Sequence, residues 1–308
     1  MTLASLCYRA LQRSGFTALA RRLSRGGVVL CYHNVVAETH AGPWSSLGLH
    51  MPLPTFDRQM RWLARAYEVV SLAELVNRLA AGVSLRGVAA VTFDDGYNGV
   101  FDDAWPLLQD LGMPAAVFVV AEAPERDHGF WWDDPDVLAD TSPARRQHWL
   151  TALRGDGPAI VGSLAVTHRA LPHRSAAPRW CRPASWQTIA AAARSGLQLG
   201  AHSASHRSLL ELSEHDLQHE IVDSRNLIER RTGVRPAFFA YPYGFWNERV
   251  RRAVQAAGYR AAFTLDGGGN NHTADNWALS RVNVPAHIEH AAFQAWTAGL
   301  NLWRRNGS

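Results

Sequence analysis

Short β-rich runs recur along this chain with helix-like segments between them, and that alternation constrains the fold more than any other feature. The clearest run is VAAVTF (88 to 93), continuously apolar in the way of a strand buried on both faces of a parallel sheet. A helix is expected around 98 to 111, and then the strand AAVFVV (115 to 120), which completes a βαβ unit. Upstream, GVVLCYH (27 to 33) reads as a strand and TFDRQMRWLARA (55 to 66) as a helix with Thr55 at its N-cap. YEVV then reads as a short strand and SLAELVNRLAAG as a helix that stops at Gly82.

Residues 122 to about 185 break the rhythm with Pro, Gly, Asp, His and Trp and one helix-like piece near 143 to 153, so an insertion is expected there. The pattern then resumes: SWQTIAAAARSG as helix, LQLGAH as strand, SEHDLQHEIVDSRNLIERRTG as one long helix, and FFAYP as strand. NERVRRAVQAAG follows as helix, AAFTL as strand and LSRVNV as a last strand. About seven strand-helix units in 308 residues fit one α/β barrel of mainly parallel strands better than two domains. The domain reading is an N-terminal helix over 1–26 and a barrel over 27–308 carrying the insertion.

The formal charge is only +4, with arginine spread along the whole chain, which is too diffuse for a nucleic-acid footprint. The cysteines, Cys7, Cys31 and Cys181, are odd in number and far apart, which fits reduced thiols in a cytosolic setting. No continuous apolar leader core and no run of about 18 apolar residues is seen, so neither export nor a membrane span is expected. Residues 3–23 are nonetheless amphipathic. Leu3, Leu6, Ala10, Leu11 and Leu19 fall at helical spacing, with Arg9, Arg13, Arg21 and Arg22 largely elsewhere. One reading is a helix lying on an anionic membrane surface, which would put the protein at the inner face of the membrane; the other is a helix covering an open end of the domain.

In parallel α/β folds the chemistry collects at the carboxyl ends of the strands. Asp94 and Asp95, in VTFDDGY, stand at one such end; His202 and His206, in GAHSASH, stand at another. Adjacent carboxylates repel unless a cation or a shared proton relieves them. A lone Asp pair after a strand is commonly a turn or helix cap, and two histidines four apart are common by chance. Together, one Asp and two His make a three-ligand set for a catalytic divalent ion, most simply Zn²⁺ with Co²⁺ or Ni²⁺ as alternatives, with Asp94 beside the metal-bound water as general base.

TFDDGY, HSASH and AYPYG, in that order, resemble the signature motifs of the NodB-homology polysaccharide deacetylases, over about residues 27 to 285. The resemblance implies a distorted (β/α) barrel of about seven strands and a metal-dependent hydrolase that removes N- or O-acetyl groups from sugars. It implies Asp94 as general base, Asp95, His202 and His206 as metal ligands, and the Tyr243 backbone amide as an oxyanion donor. Where many members carry an arginine that orients the base, this chain has Ala240, and Arg281 in LSRVNV is the candidate substitute. The family's late Leu-x-His motif is also missing. His33, in CYHNVV, is the first candidate for the general acid, followed by His272 and His287.

Trp131 and Trp132, with Asp133 beside them and Tyr97 after the Asp pair, are read as substrate contacts: indole faces stack on sugar C–H surfaces and carboxylates accept hydroxyl hydrogen bonds. The FWWD wording also resembles a subgroup of these deacetylases found with glycan-assembly enzymes. The expected substrate is an acetylated sugar or glycan, nucleotide-linked, lipid-linked or under construction. The alternatives are a deacylase of another acyl group, such as a formamide, an O-acetyl ester or a cyclic amide, and a catalytically inactive glycan-binding relative.

Overall fold

A computed structural model describes residues 3–37, 48–126, 128–167 and 177–301, without the side chains of 165–167. Residues 127 and 168–176 of the expected insertion, and 302–308, therefore lie outside the described residues.

The described residues form ten strands: β1 Val28–Tyr32, β2 Asn34–Val36, β3 His50–Pro52, β4 Glu68–Val69, β5 Val88–Phe93, β6 Ala116–Val119, β7 Gln198–Ala201, β8 Phe238–Ala240, β9 Ala261–Phe263 and β10 Val282–Asn283. The main sheet runs β10-β1-β5-β6-β7-β8-β9, with β4 also on β5, and its strand pairs are parallel. It curls into a distorted barrel. Leu279 bridges to Phe263 of β9 while Val282 pairs with Leu30 of β1, so the segment 279–283 joins the two sides of the seam. β2 and β3 form a separate parallel pair that the sequence reading does not contain.

Every residue of β1 and β5 is buried, as their unbroken apolar runs require. Successive side chains still alternate between two faces. Val29, Ala90, Phe118, Phe238 and Phe263 share one core cluster, and Leu30, Val91, Val117 and Phe239 belong to the other. Continuing the period of two beyond β1 and β5 brings His33 and Asp94 onto the face of Val29 and Ala90, the inside of the barrel. Gly200 makes the same face passable on β7, because a Cβ there would lie 2.3 Å from the Phe118 ring. The next inward residue is His202.

Two helices of the sequence reading are interrupted. The segment expected as one helix near 213–233 consists of Glu214–Gln218, a π-helical turn His219–Asp223, and Ser224–Thr232. The helix after β5 opens with a π turn, Val100–Ala104, ahead of Trp105–Asp110. Pro106 there has no N–H to give the carbonyl four residues back, which fits the widened turn. The N-terminal piece is likewise two helices, Leu3–Arg13 and Phe16–Leu23, parted at Gly15 with φ 77°. They pack on the C-terminal helix His290–Thr297: Ser5 donates to Glu289 at 2.5 Å, and Trp296 Nε1 donates to the Tyr8 hydroxyl at 2.9 Å. No described helix is long and apolar enough to cross a membrane.

Between β6 and β7 the described residues form the helices Pro135–Ala139, Pro143–Thr151 and Gly157–Thr167, the short 3-10 turns Trp131–Asp133 and Arg179–Cys181, and then the expected helix Trp186–Arg194, with no strand. The segment returns to the barrel at the loop after Asp95. There the Asn98 side chain donates to the carbonyls of Arg179, Arg182 and Pro183 at 3.0, 3.0 and 3.1 Å.

Candidate active site

Asp94 continues the inward face of β5 and is buried, and Arg281 reaches it from the seam. Arg281 Nη1 and Nη2 donate to the two carboxylate oxygens, each at 2.7 Å. Arg281 is itself fully buried, lies over the Phe118 ring and donates to the Thr264 carbonyl and Thr92 hydroxyl at 3.3 Å. The Cys31 thiol adds a third donor to Asp94, at 3.3 Å. Burial alone would raise the Asp94 pKa, but Arg281 and then His202 outweigh it and hold the carboxyl well below the usual range. Ala240, where an arginine was missing, contributes only its carbonyl.

That carbonyl sets the state of His202. Nδ1 of His202 lies 2.8 Å from the Ala240 oxygen, which can only accept, so Nδ1 carries the proton and Nε2 presents a lone pair. His206 Nε2 lies 3.2 Å from His202 Nε2, and the two nitrogens lie 3.5 and 3.7 Å from Asp95 Oδ1. Burial lowers the pKa of both rings, so they stand neutral. Asp95 is the opposite of Asp94. Neither of its oxygens has a hydrogen-bond partner among the described residues, and burial, followed by the nearby Asp94, pushes its carboxyl well up.

A buried carboxylate without donors, aimed at two neutral imidazoles whose ligand atoms lie within 4.8 Å of it, is costly as it stands and suits a divalent cation. The donor set of one oxygen and two nitrogens fits Zn²⁺ and related ions.

The backbone around these groups is strained. Six non-glycine residues among those described have positive φ, and four are Asp95, Ser203, His206 and Tyr243, at 59 to 69°. Strain of this kind persists only where the surroundings enforce it. For the His206 loop the enforcement comes from Glu220, a buried residue of the π turn. It accepts from the Ala204 and Ser205 amides at 2.9 Å each and from the Ser205 hydroxyl at 2.5 Å. The His206 amide donates to the Ser203 hydroxyl at 2.9 Å. The sequence reading misses Glu220, since one acid in a charged helical stretch looks like solvated surface.

Tyr97 and Asp133, expected as substrate contacts, are corrected by the structure: both are buried and bound to each other. The Tyr97 hydroxyl donates to Asp133 at 2.6 Å, and His50 Nε2 donates to the other carboxylate oxygen at 3.0 Å. Asn34 donates to His50 Nδ1, which fixes that tautomer. Trp132 Nε1 donates to the Tyr97 hydroxyl at 2.8 Å, and the indole packs 4.6 Å from the His206 ring. Asp133 is thus an internal hub behind the histidines, and at 2% exposure it is closed off from a sugar. Trp131 and Trp132 are themselves largely buried, but both line a cavity of about 710 Å³ together with Arg126, Asp134, Arg207 and His219; His206, His202 and the two carboxylates do not line it.

Among the candidate acids, His33 alone is near the carboxylates. Its ring, Cys31 and Asp94 offer ligand atoms within 4.8 Å of one another, whereas His272 and His287 are exposed. Burial lowers the His33 pKa to about 4, against the pull of Asp94. Tyr243, in the turn Pro242–Gly244 after β8, sets its ring 4.6 Å from that of His206, nearly perpendicular to it.

A parallel barrel with paired carboxylates and two imidazoles at the carboxyl ends of its strands defines an enzyme centre of the barrel type. The polysaccharide deacetylase family profile matches residues 82–262, which is more than half of the chain and includes all four of those side chains. The chain belongs to the polysaccharide deacetylase family and is a carbohydrate deacetylase. It is 22% identical over 274 residues to YxkH of Bacillus subtilis (strain 168), whose name assigns it to the polysaccharide deacetylases; the alignment covers 88% of this chain and 76% of YxkH. In fold it is similar to IcaB from Ammonifex degensii, with a TM-score of 0.63 at 21% identity over 89% of this chain and 98% of that one. It is also similar to the Streptococcus pyogenes deacetylase PplD, solved in complex with acetate, with a TM-score of 0.61 at 16% identity over 86% and 95%.

Proposed function

We propose that this chain is a metal-dependent N-deacetylase of acetamido sugars, with Asp95, His202 and His206 holding a divalent cation, Zn²⁺ first among them. The observation that carries the reading is the Asp95 carboxylate, buried without a donor and facing two imidazole lone pairs. A cation bound there supplies Lewis acidity toward water and the acetyl carbonyl.

The chain's own groups divide the remaining work. Asp94 orients the attacking water and takes its proton. Arg281 keeps that carboxylate a weak base, so the proton does not rest there. His33, neutral and within 4.8 Å, is the group that carries it to the leaving nitrogen. The Tyr243 amide is assigned to the developing oxyanion. The cavity walled by Trp131 and Trp132 is where the glycan would extend.

Acetate release from a panel of free, nucleotide-linked and lipid-linked acetamido sugars, before and after chelation and with metal restored, tests the reading. Turnover that chelator abolishes and Zn²⁺, Co²⁺ or Ni²⁺ restores supports it. Release that is insensitive to chelator, or no release from any acetamido sugar, overturns it.

A further inference from the structure

The N-terminal helices dock through a mixed face, in which Ala4, Tyr8 and Leu11 meet the core, and leave most of their large apolar side chains outside. Facing the protein are Ser5, Tyr8, Thr17 and Arg21; Arg21 donates to the Ala66 carbonyl at 2.5 Å and lies over the Tyr67 ring. Facing outward are Leu3, Leu6, Phe16, Leu19 and Leu23, each 48 to 72% exposed. Among the described residues only Val83 and Val234 are other large apolar side chains in that position. Packing on the barrel therefore does not account for this apolar stripe, which covers none of the described residues. An exposed apolar surface gathered on one segment marks an interaction site.

The charges around it say what kind of partner fits. Residues 3–25 contain five arginines and no acidic residue, and those five exceed the net charge of the whole chain, +4, so the rest of the molecule is slightly acidic on balance. Arg9 is engaged by Glu289, but Arg13, Arg22 and Arg25 are exposed and have no carboxylate within ion-pair distance among the described residues. On the wheel of Leu3–Arg13, Arg13 borders the stripe of Leu3, Leu6 and Ala10; on that of Phe16–Leu23, Arg22 borders Phe16, Leu19 and Leu23.

From this placement we infer that the hairpin of helices Leu3–Arg13 and Phe16–Leu23 is a peripheral anchor. Its leucines and Phe16 enter the acyl boundary of an anionic bilayer, and Arg13, Arg22 and Arg25 lie at the headgroups. The barrel then works at a membrane surface. The inference stands apart from the deacetylase mechanism, because its readout is partition and not turnover.

The test is flotation of the full-length chain with phosphatidylcholine vesicles, with and without phosphatidylglycerol. The wild type rises with the anionic vesicles, and high salt weakens the association. The triple variant Leu6→Ser, Phe16→Ser and Leu19→Ser, which alters only exposed side chains, lowers the bound fraction about tenfold or more at an unchanged melting temperature and unchanged acetate release from a water-soluble substrate. Arg13→Gln with Arg22→Gln removes the preference for anionic lipid.

A wild type that stays with the unbound fraction, or floats equally on neutral vesicles, overturns the inference. So does a triple variant that floats as well as the wild type. A concentration-dependent dimer that the triple variant abolishes, without flotation, assigns the stripe to a second copy and overturns it equally.

Discussion

Arg281 holds Asp94 in a two-pronged ion pair with both contacts at 2.7 Å, while the carboxylate of Asp95, the next residue in the chain, receives no hydrogen bond from the described residues. The asymmetry originates in the barrel's seam. The segment 279–283 pairs with β9 at one end and β1 at the other, which carries Arg281 inside, directly against the strand end that bears the two acids. One carboxylate is thereby neutralised by the protein, and the other is left without a partner among the described residues.

Removing the guanidinium leaves a buried, unpaired carboxylate. Arg281→Met is expected to cost about 3–5 kcal/mol at neutral pH, the scale for breaking a buried pair from one side. The sign follows from Asp94. In the wild type its pKa is depressed, so its contribution is complete above about pH 4 and is lost as pH falls through the lowered value. Without Arg281 burial dominates, the pKa rises, and acidification relieves the variant. The stability gap should be widest near pH 7 and close toward pH 4, read by denaturant melts. A pH-independent gap would mean the contact is packing alone. Arg281→Lys keeps charge but not the fork, so it should recover most of the stability and little of the turnover.

Asp94→Asn and His206→Ala should separate proton transfer from metal retention. The first is expected to lower acetate release by about 10²–10⁴-fold with metal content near that of the wild type. The second, and His202→Ala with it, should lose bound metal measured by elemental analysis. Chelation should lower the melting temperature of the wild type and have little further effect on either histidine variant. Metal lost from Asp94→Asn but kept in His206→Ala would reverse the assignment.

How much of this is legible in the chain follows from where polarity interrupts hydrophobicity. Asp94, Asp95 and His202 each follow an apolar run directly, so strand ends can be read from the alphabet alone. Arg281 is reached only indirectly, through what Ala240 lacks. Glu220, His50 and Cys181 cannot be reached in this way: the first lies in a charged helical stretch, and the other two become neighbours of Asp133 only through folding. The positive φ at Ser203 and His206 is equally silent, because neither residue is glycine. The π turns escape a reading that assumes 3.6 residues per turn. Asp133 is misread for the converse reason, since a carboxylate beside two tryptophans looks like a sugar clamp until its donors are counted.

Glu220 should act on metal binding without touching it. Glu220→Gln keeps one carbonyl oxygen but turns an NH₂ toward one group of donors, and the Ala204 and Ser205 amides or the Ser205 hydroxyl lose their acceptor. Because these bonds hold Ser203 and His206 in their strained conformation, the variant should bind metal about 10–100-fold more weakly while Asp94 and Arg281 stay paired. Competition with a chromogenic chelator measures this. Unchanged affinity with a lowered melting temperature would make Glu220 a support of the fold only.

Asp133→Asn distinguishes an internal hub from a sugar-binding carboxylate. Tyr97 and His50 each donate to one oxygen of Asp133, so an amide NH₂ must face one of those donors. The unpaired group costs about 1–3 kcal/mol, and the disturbance passes through the Tyr97 hydroxyl to Trp132, whose indole packs against His206. The expected result is a lower melting temperature with kcat reduced and KM for an acetamido sugar little changed, since the defect lies in the support of the metal-binding ring and not in substrate contact. A sugar-binding Asp133 would give the reverse, a raised KM at constant stability. A partner change discriminates further. His50→Gln, which removes the other side of the same contact, should reproduce the Asp133→Asn phenotype, and the two together should cost less than the sum of each alone. Full additivity would show that His50 and Asp133 do not act through one another.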